Sequence, residues 1–75
     1  MYKFQDQMKA VEGVRTAGLL AHKESFVYSV LCPGSCRFIG FIPTNGELCF
    51  TDYSDHELAP YRDKIGSMIG LLPKL

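Results

Sequence analysis

The sequence has no tryptophan, no long apolar run and no excess of either charge. A membrane-spanning helix needs roughly 18 or more consecutive apolar residues, and no stretch approaches that. The opening Met1-Tyr2-Lys3-Phe4-Gln5-Asp6-Gln7 is too polar for a signal peptide, so a cytoplasmic protein is expected. Lys plus Arg number 8 and Asp plus Glu number 8, for a formal charge of zero. A chain that tracks phosphates carries a basic excess, so nucleic acid is not the expected partner. Zero net charge also leaves little repulsion between copies. P-loop, G-x-G-x-x-G and G-x-S-x-G motifs are missing, which removes the usual nucleotide and hydrolase signatures. Cysteine is scarce and odd in number, three in all. That fits a reducing compartment better than a secreted disulfide framework.

What is present suits one small globular domain spanning residues 1–75. The hydrophobic fraction is 47%, with five Phe and four Tyr, enough to build a core. A chain this short buries only about 60% of its extended surface and is marginal by itself, so a disulfide, a metal or a partner subunit would add stability.

The spacing predicts a helix from about Phe4 to His22. Phe4, Met8 and Val11 repeat at helical intervals, and Ala10, Val14, Ala17 and Ala21 continue on an adjoining face. Gly13 and Gly18 each weaken it by about 1 kcal/mol relative to Ala. Gly18 can instead end the helix and leave Leu19 to His22 extended. Phe26 to Cys32, Cys36 to Ile42 and Glu47 to Tyr53 read as strands separated by Pro33-Gly34-Ser35 and Asn45-Gly46, the latter a strong hairpin signal. Ser54 or Asp55 can cap a last helix through Leu58, Tyr61, Ile65, Met68 and Leu72, with Pro73 ending it. The expected fold is α+β in the order α-β-β-β-α: a three-stranded antiparallel meander with two helices.

Pairing across the two turns puts Val30 opposite Phe38, Val27 opposite Phe41, Ile42 opposite Cys49 and Phe41 opposite Phe50. One face then carries Val27, Leu31, Ile39, Phe41, Leu48 and Phe50. The other carries Phe26, Tyr28, Val30, Phe38, Ile42, Cys49 and Tyr53. Both are apolar, whereas a sheet wetted on one side alternates apolar with polar residues. Either the helices straddle the sheet, or the N-terminal segment folds over its second face, or that face is a protein interface. The first face is the more aliphatic and is expected to be the core. The second, with two Tyr, is the candidate interface, with a second copy as the simplest partner and another protein as the alternative.

Cys32-Pro33-Gly34-Ser35-Cys36 stands out, but C-x3-C is not a zinc-knuckle spacing and no second close pair follows. A disulfide across the hairpin is sterically allowed. The more common fate of such residues is as small apolar groups near a turn. His56 can approach Cys36 at one sheet end, but no orienting residue or oxyanion turn accompanies the pair. Asp52, Asp55, His56 and Glu57 have ligand chemistry but suit a helix N-terminus, where acids interact favourably with the macrodipole. No catalytic residue, cofactor or metal is therefore expected.

The order α-β-β-β-α resembles that of double-stranded RNA-binding domains. The basic start of the last helix expected there is replaced by acidic Ser54-Asp55-His56-Glu57, which repels phosphate. The expected function is a small, non-catalytic protein-interaction module or regulator. A nucleic-acid-binding domain and a small Cys/His metal or thiol protein are the alternatives.

Overall fold

Asp6 decides where the first helix begins. In the computed structural model, which describes residues 2–71, the Asp6 carboxylate accepts the Lys9 N–H at 2.9 Å. This side-chain cap satisfies an amide the helix cannot, so α1 runs Gln7–Thr16 and Phe4 lies outside it. Gly18, at φ +102°, ends it. The Gly18 N–H reaches the Arg15 carbonyl and the Leu19 N–H the Val14 carbonyl, both at 3.0 Å, the paired bonds of a Schellman stop. The chain therefore leaves the helix earlier than a helix to His22 requires, and Gly18 acts as the stop. Gly13 is retained within α1 for packing: a Cβ there would lie 2.7 Å from the buried Phe4 ring.

The remaining elements are β1 (Tyr2–Lys3), β2 (Leu20–Glu24), β3 (Val27–Leu31), β4 (Phe38–Ile42), β5 (Glu47–Phe50), a 3-10 turn (His56–Leu58) and α2 (Ala59–Leu71). The fold is α+β, with two helices and a five-stranded antiparallel sheet in the order β1-β5-β4-β3-β2. The β3–β4–β5 meander corresponds to the three strands legible in the sequence. β2 and β1 extend it at either edge. Leu20-Ala21-His22-Lys23-Glu24 has no β-branched residue, so its strand character comes from pairing with β3 through the tight Ser25-Phe26 turn, with Ser25 at φ 59°.

Both turns of the meander are longer than the tight turns assumed from sequence, and the register shifts accordingly. The Cys32 N–H bonds to the Arg37 carbonyl at 2.9 Å, so the first loop spans Pro33 to Cys36. Tyr28 then pairs with Ile42 and Val30 with Gly40, and a bulge leaves Ile39 extra before Leu31 pairs with Phe38. At the second, the Gly46 N–H bonds to the Pro43 carbonyl at 3.1 Å, and Phe41 pairs with Cys49 rather than with Phe50. A one-residue slip exchanges faces. Val30, Ile42 and Tyr28 accordingly belong to the covered face, and Val27, Leu31 and Phe41 to the other.

The core joins Ala10, Val11 and Val14 of α1 and Leu58 and Ile65 of the C-terminal segment to Val30, Ile39, Ile42, Leu48 and Phe50 of the sheet. Both helices thus cover the same face. Asp55 caps the C-terminal segment by accepting the Glu57 N–H at 2.9 Å. Pro60 falls in the first turn of α2, where its missing N–H costs nothing. Leu72 and Pro73 lie outside the described residues. No helix among the described residues is long and apolar enough to cross a membrane.

Candidate functional site

With both helices on one side, the opposite face of the sheet is left uncovered among the described residues. Alternation along the strands and the observed register place Leu20, His22 and Glu24 of β2, Val27, Ser29 and Leu31 of β3, Phe38 and Phe41 of β4, and Cys49 of β5 on this outer face. Phe38 is 49% exposed, Leu20 41% and Phe41 39%. Val27, Leu31 and Cys49 are half-buried. Ser29, the one buried polar residue of the face, donates to the Glu24 carboxylate at 3.0 Å. Apolar groups occupy the centre. His22 and Glu24 line one edge, while Lys3 and Glu47, paired across β1 and β5, line the other.

The seven residues expected to form an interface are not one surface. Phe38 and Cys49 do lie on the outer face. Val30 and Ile42 are fully buried beneath the helices, and Tyr28 packs partly against the core. Phe26, 80% exposed, sits at the tip of the β2–β3 turn, where the Gln7 side chain donates to its carbonyl at 2.8 Å. Tyr53 follows β5. Its ring meets Phe50 edge-on at 5.6 Å and its hydroxyl accepts the Phe50 N–H at 3.2 Å. Leu20, Val27, Leu31 and Phe41, not among the seven expected interface residues, belong to this face. Ser29 was the available signal: a lone polar residue in the middle of β3 marks its own face, and with it Val27 and Leu31, as the wetter side.

A second feature lies at the end of the sheet that holds the β3–β4 loop. The Arg37 guanidinium bonds Asp55 at 2.8 Å and Glu57 at 2.9 Å. Asp55, hydrogen-bonded by Arg37 first and the Glu57 N–H second, has its carboxyl held below the usual range. The Arg37 guanidinium is in turn held more firmly charged, first through that bond to Asp55. The Asp52 carboxyl is lowered by the Ser54 hydroxyl and then by the Ser54 N–H. These bonds bring the C-x3-C turn and the His56 turn to the same end of the sheet. They also pair Arg37 with two carboxylates. Cys32 is buried, Cys36 exposed and Cys49 half-buried, all free thiols. Burial, and then the charge of Glu47, push the Cys49 thiol up, so it stays protonated at neutral pH. Among the described residues no three metal-ligating side chains gather and no pocket opens.

The two lowered carboxyls predict an acid response. A group whose pKa falls on folding adds stability above its unfolded value, and that stability is lost as pH drops through the folded value. Asp52 and Asp55 should therefore contribute no pH dependence from neutrality to about pH 5 and a falling stability below about pH 4. Urea midpoints across this range should fall less steeply in Asp55→Asn than in the parent. Equal slopes would show that Asp55 has no folded-state partner in solution.

No family model, curated protein or solved structure matches the chain.

Proposed function

We propose that the chain is a small, non-catalytic protein-interaction module that acts as a homodimer by burying the outer sheet face. A binding or inhibitory role in a reducing, cytoplasmic setting fits the three free thiols. The observation that carries the proposal is the pair of exposed phenylalanines, Phe38 and Phe41, on β4, the central strand of five. An apolar centre with a polar rim is the anatomy of a protein interface. Charge favours a second copy as the occupant. Each edge of the face carries one base and one acid, His22 with Glu24 and Lys3 with Glu47, so another copy can set acid against base whichever way its edges fall. The zero net charge adds no general repulsion.

Light scattering across a dilution series tests this. The parent should be a dimer that dissociates on dilution. Phe38→Asp removes two phenylalanines per dimer at roughly 1.5–3 kcal/mol each, so dissociation should be at least about a hundredfold easier with the monomer still folded. A parent that is monomeric at every concentration overturns the homodimer.

A further inference from the structure

We infer that Cys32 and Cys36 are a redox-sensitive modification site, closing reversibly into an intramolecular disulfide when the chain meets a small-molecule disulfide of the glutathione type.

The turn between β3 and β4 brings the pair together. The Cys36 N–H bonds directly to the Cys32 carbonyl at 3.0 Å. With ordinary bond lengths on either side of that contact, the two Cα atoms lie no more than about 7 Å apart, close to the outer limit of the roughly 4.4–6.8 Å a disulfide spans. The base of the turn is fixed by the bond from the Cys32 N–H to the Arg37 carbonyl and by the clasp of Arg37 on Asp55 and Glu57. The two cysteines also differ in access. Cys36 is exposed on the loop and Cys32 is buried at the end of β3, which suits them to the attacking and resolving roles. Cys36 sits at φ 57°, a left-handed conformation that a non-glycine residue holds only under constraint. Cys49, on another strand and kept protonated by burial, is the poorer reactant.

The chemistry is thiol–disulfide exchange. The Cys36 thiolate attacks one sulfur of the small disulfide, whose S–S bond breaks. A mixed disulfide forms on Cys36, and the departing thiolate takes up the proton Cys36 released. Cys32, deprotonated in turn, attacks the Cys36 sulfur and expels the second small thiol. The protein loses two hydrogens and two electrons, and the small disulfide is reduced to two thiols.

The test uses the full chain carrying Cys49→Ser, held under native conditions in graded ratios of oxidised to reduced glutathione, then acid-quenched, alkylated and weighed intact. The expected product is lighter by two hydrogens, retains no glutathione and has lost both alkylation sites. With Cys32→Ser added, the reaction should stop at one glutathione adduct on Cys36. With Cys36→Ser added instead, the buried Cys32 should stay reduced. A Cys49→Ser chain that stops at the adduct, links to a second copy or stays reduced overturns the inference. So does a Cys36→Ser chain that reacts as fast as the others, since oxidation would then run through the unfolded chain.

Discussion

Ile42→Asp is expected to abolish the folded state, while Phe41→Asp, one residue earlier, leaves it intact. Ile42 is fully buried among the helices and neighbouring strands, and its carbonyl accepts the Gln7 side chain at 3.1 Å. Removing its side chain alone costs about 2–5 kcal/mol. The carboxylate put in its place has no partner in an apolar core and adds several kcal/mol more unless it protonates. A chain of this length holds only about 4–11 kcal/mol of total stability, so the substitution removes all or nearly all of it. Phe41 points to the outer face, 39% exposed, where a polar replacement changes strand preference by about 1 kcal/mol. Circular dichroism and amide proton dispersion distinguish the two variants directly. The reverse result, with Phe41→Asp unfolded and Ile42→Asp folded, would mean that the strands pair one residue out of register and that the outer face carries the other set of side chains.

That contrast rests on the register, which was the least legible feature of the sequence. The helical segments are marked by physics that acts locally: spacing, the Asp6 and Asp55 caps, the Gly18 stop. The three meander strands are marked by β-branched and aromatic density. Faces are not local. Phe26 to Cys32 is apolar on both parities apart from Ser29, so the pattern sets its register weakly and the turns decide it. Each loop is one residue longer than the turn expected there: Cys36, at φ 57°, joins Pro33-Gly34-Ser35, and Thr44 joins Asn45-Gly46 between Pro43 and Glu47. Phe38, Cys49, Leu48 and Phe50 keep the faces expected of them, while Val30 and Ile42 do not. β2 was obscured for a different reason. Leu20 to Glu24 is composed of residues at home in a helix, and only the stop before it and the partner strand beside it make it extended. An apolar surplus was legible, since both faces of the sheet read as apolar, but whether the helices straddle the sheet or leave one face bare depended on where they pack. The membership of each face depended on turn geometry.

Gly46→Ala should destabilise the domain more than any other single added methyl at a turn. Gly46 lies at φ +83°, and a residue with a Cβ pays about 1–3 kcal/mol to stay there. That Cβ would also lie 2.7 Å from the Asp6 carbonyl carbon, 2.8 Å from its oxygen and 2.9 Å from its Cα. All three are backbone atoms and cannot rotate away. Asp6 caps α1, the Phe4 N–H bonds to the Gly46 carbonyl at 3.0 Å, and the Lys3 ammonium bonds to the Asn45 carbonyl. The turn is therefore where β1, the start of α1 and the β4–β5 hairpin meet, and a shift that relieves the methyl loosens all three. The expected fall in melting temperature is roughly 10 °C or more, at 4–8 °C per kcal/mol for a domain of this size. Gly34→Ala isolates the cause. Gly34 has nearly the same φ, +88°, yet nothing lies within 4 Å of its Cβ position. It meets only the backbone cost, so the difference between the two variants measures the pressure of Asp6 on the turn. Equal losses would mean that β1 and the start of α1 are not seated against the hairpin in solution. The two-residue β1 would then not close the sheet, leaving β5 as its edge.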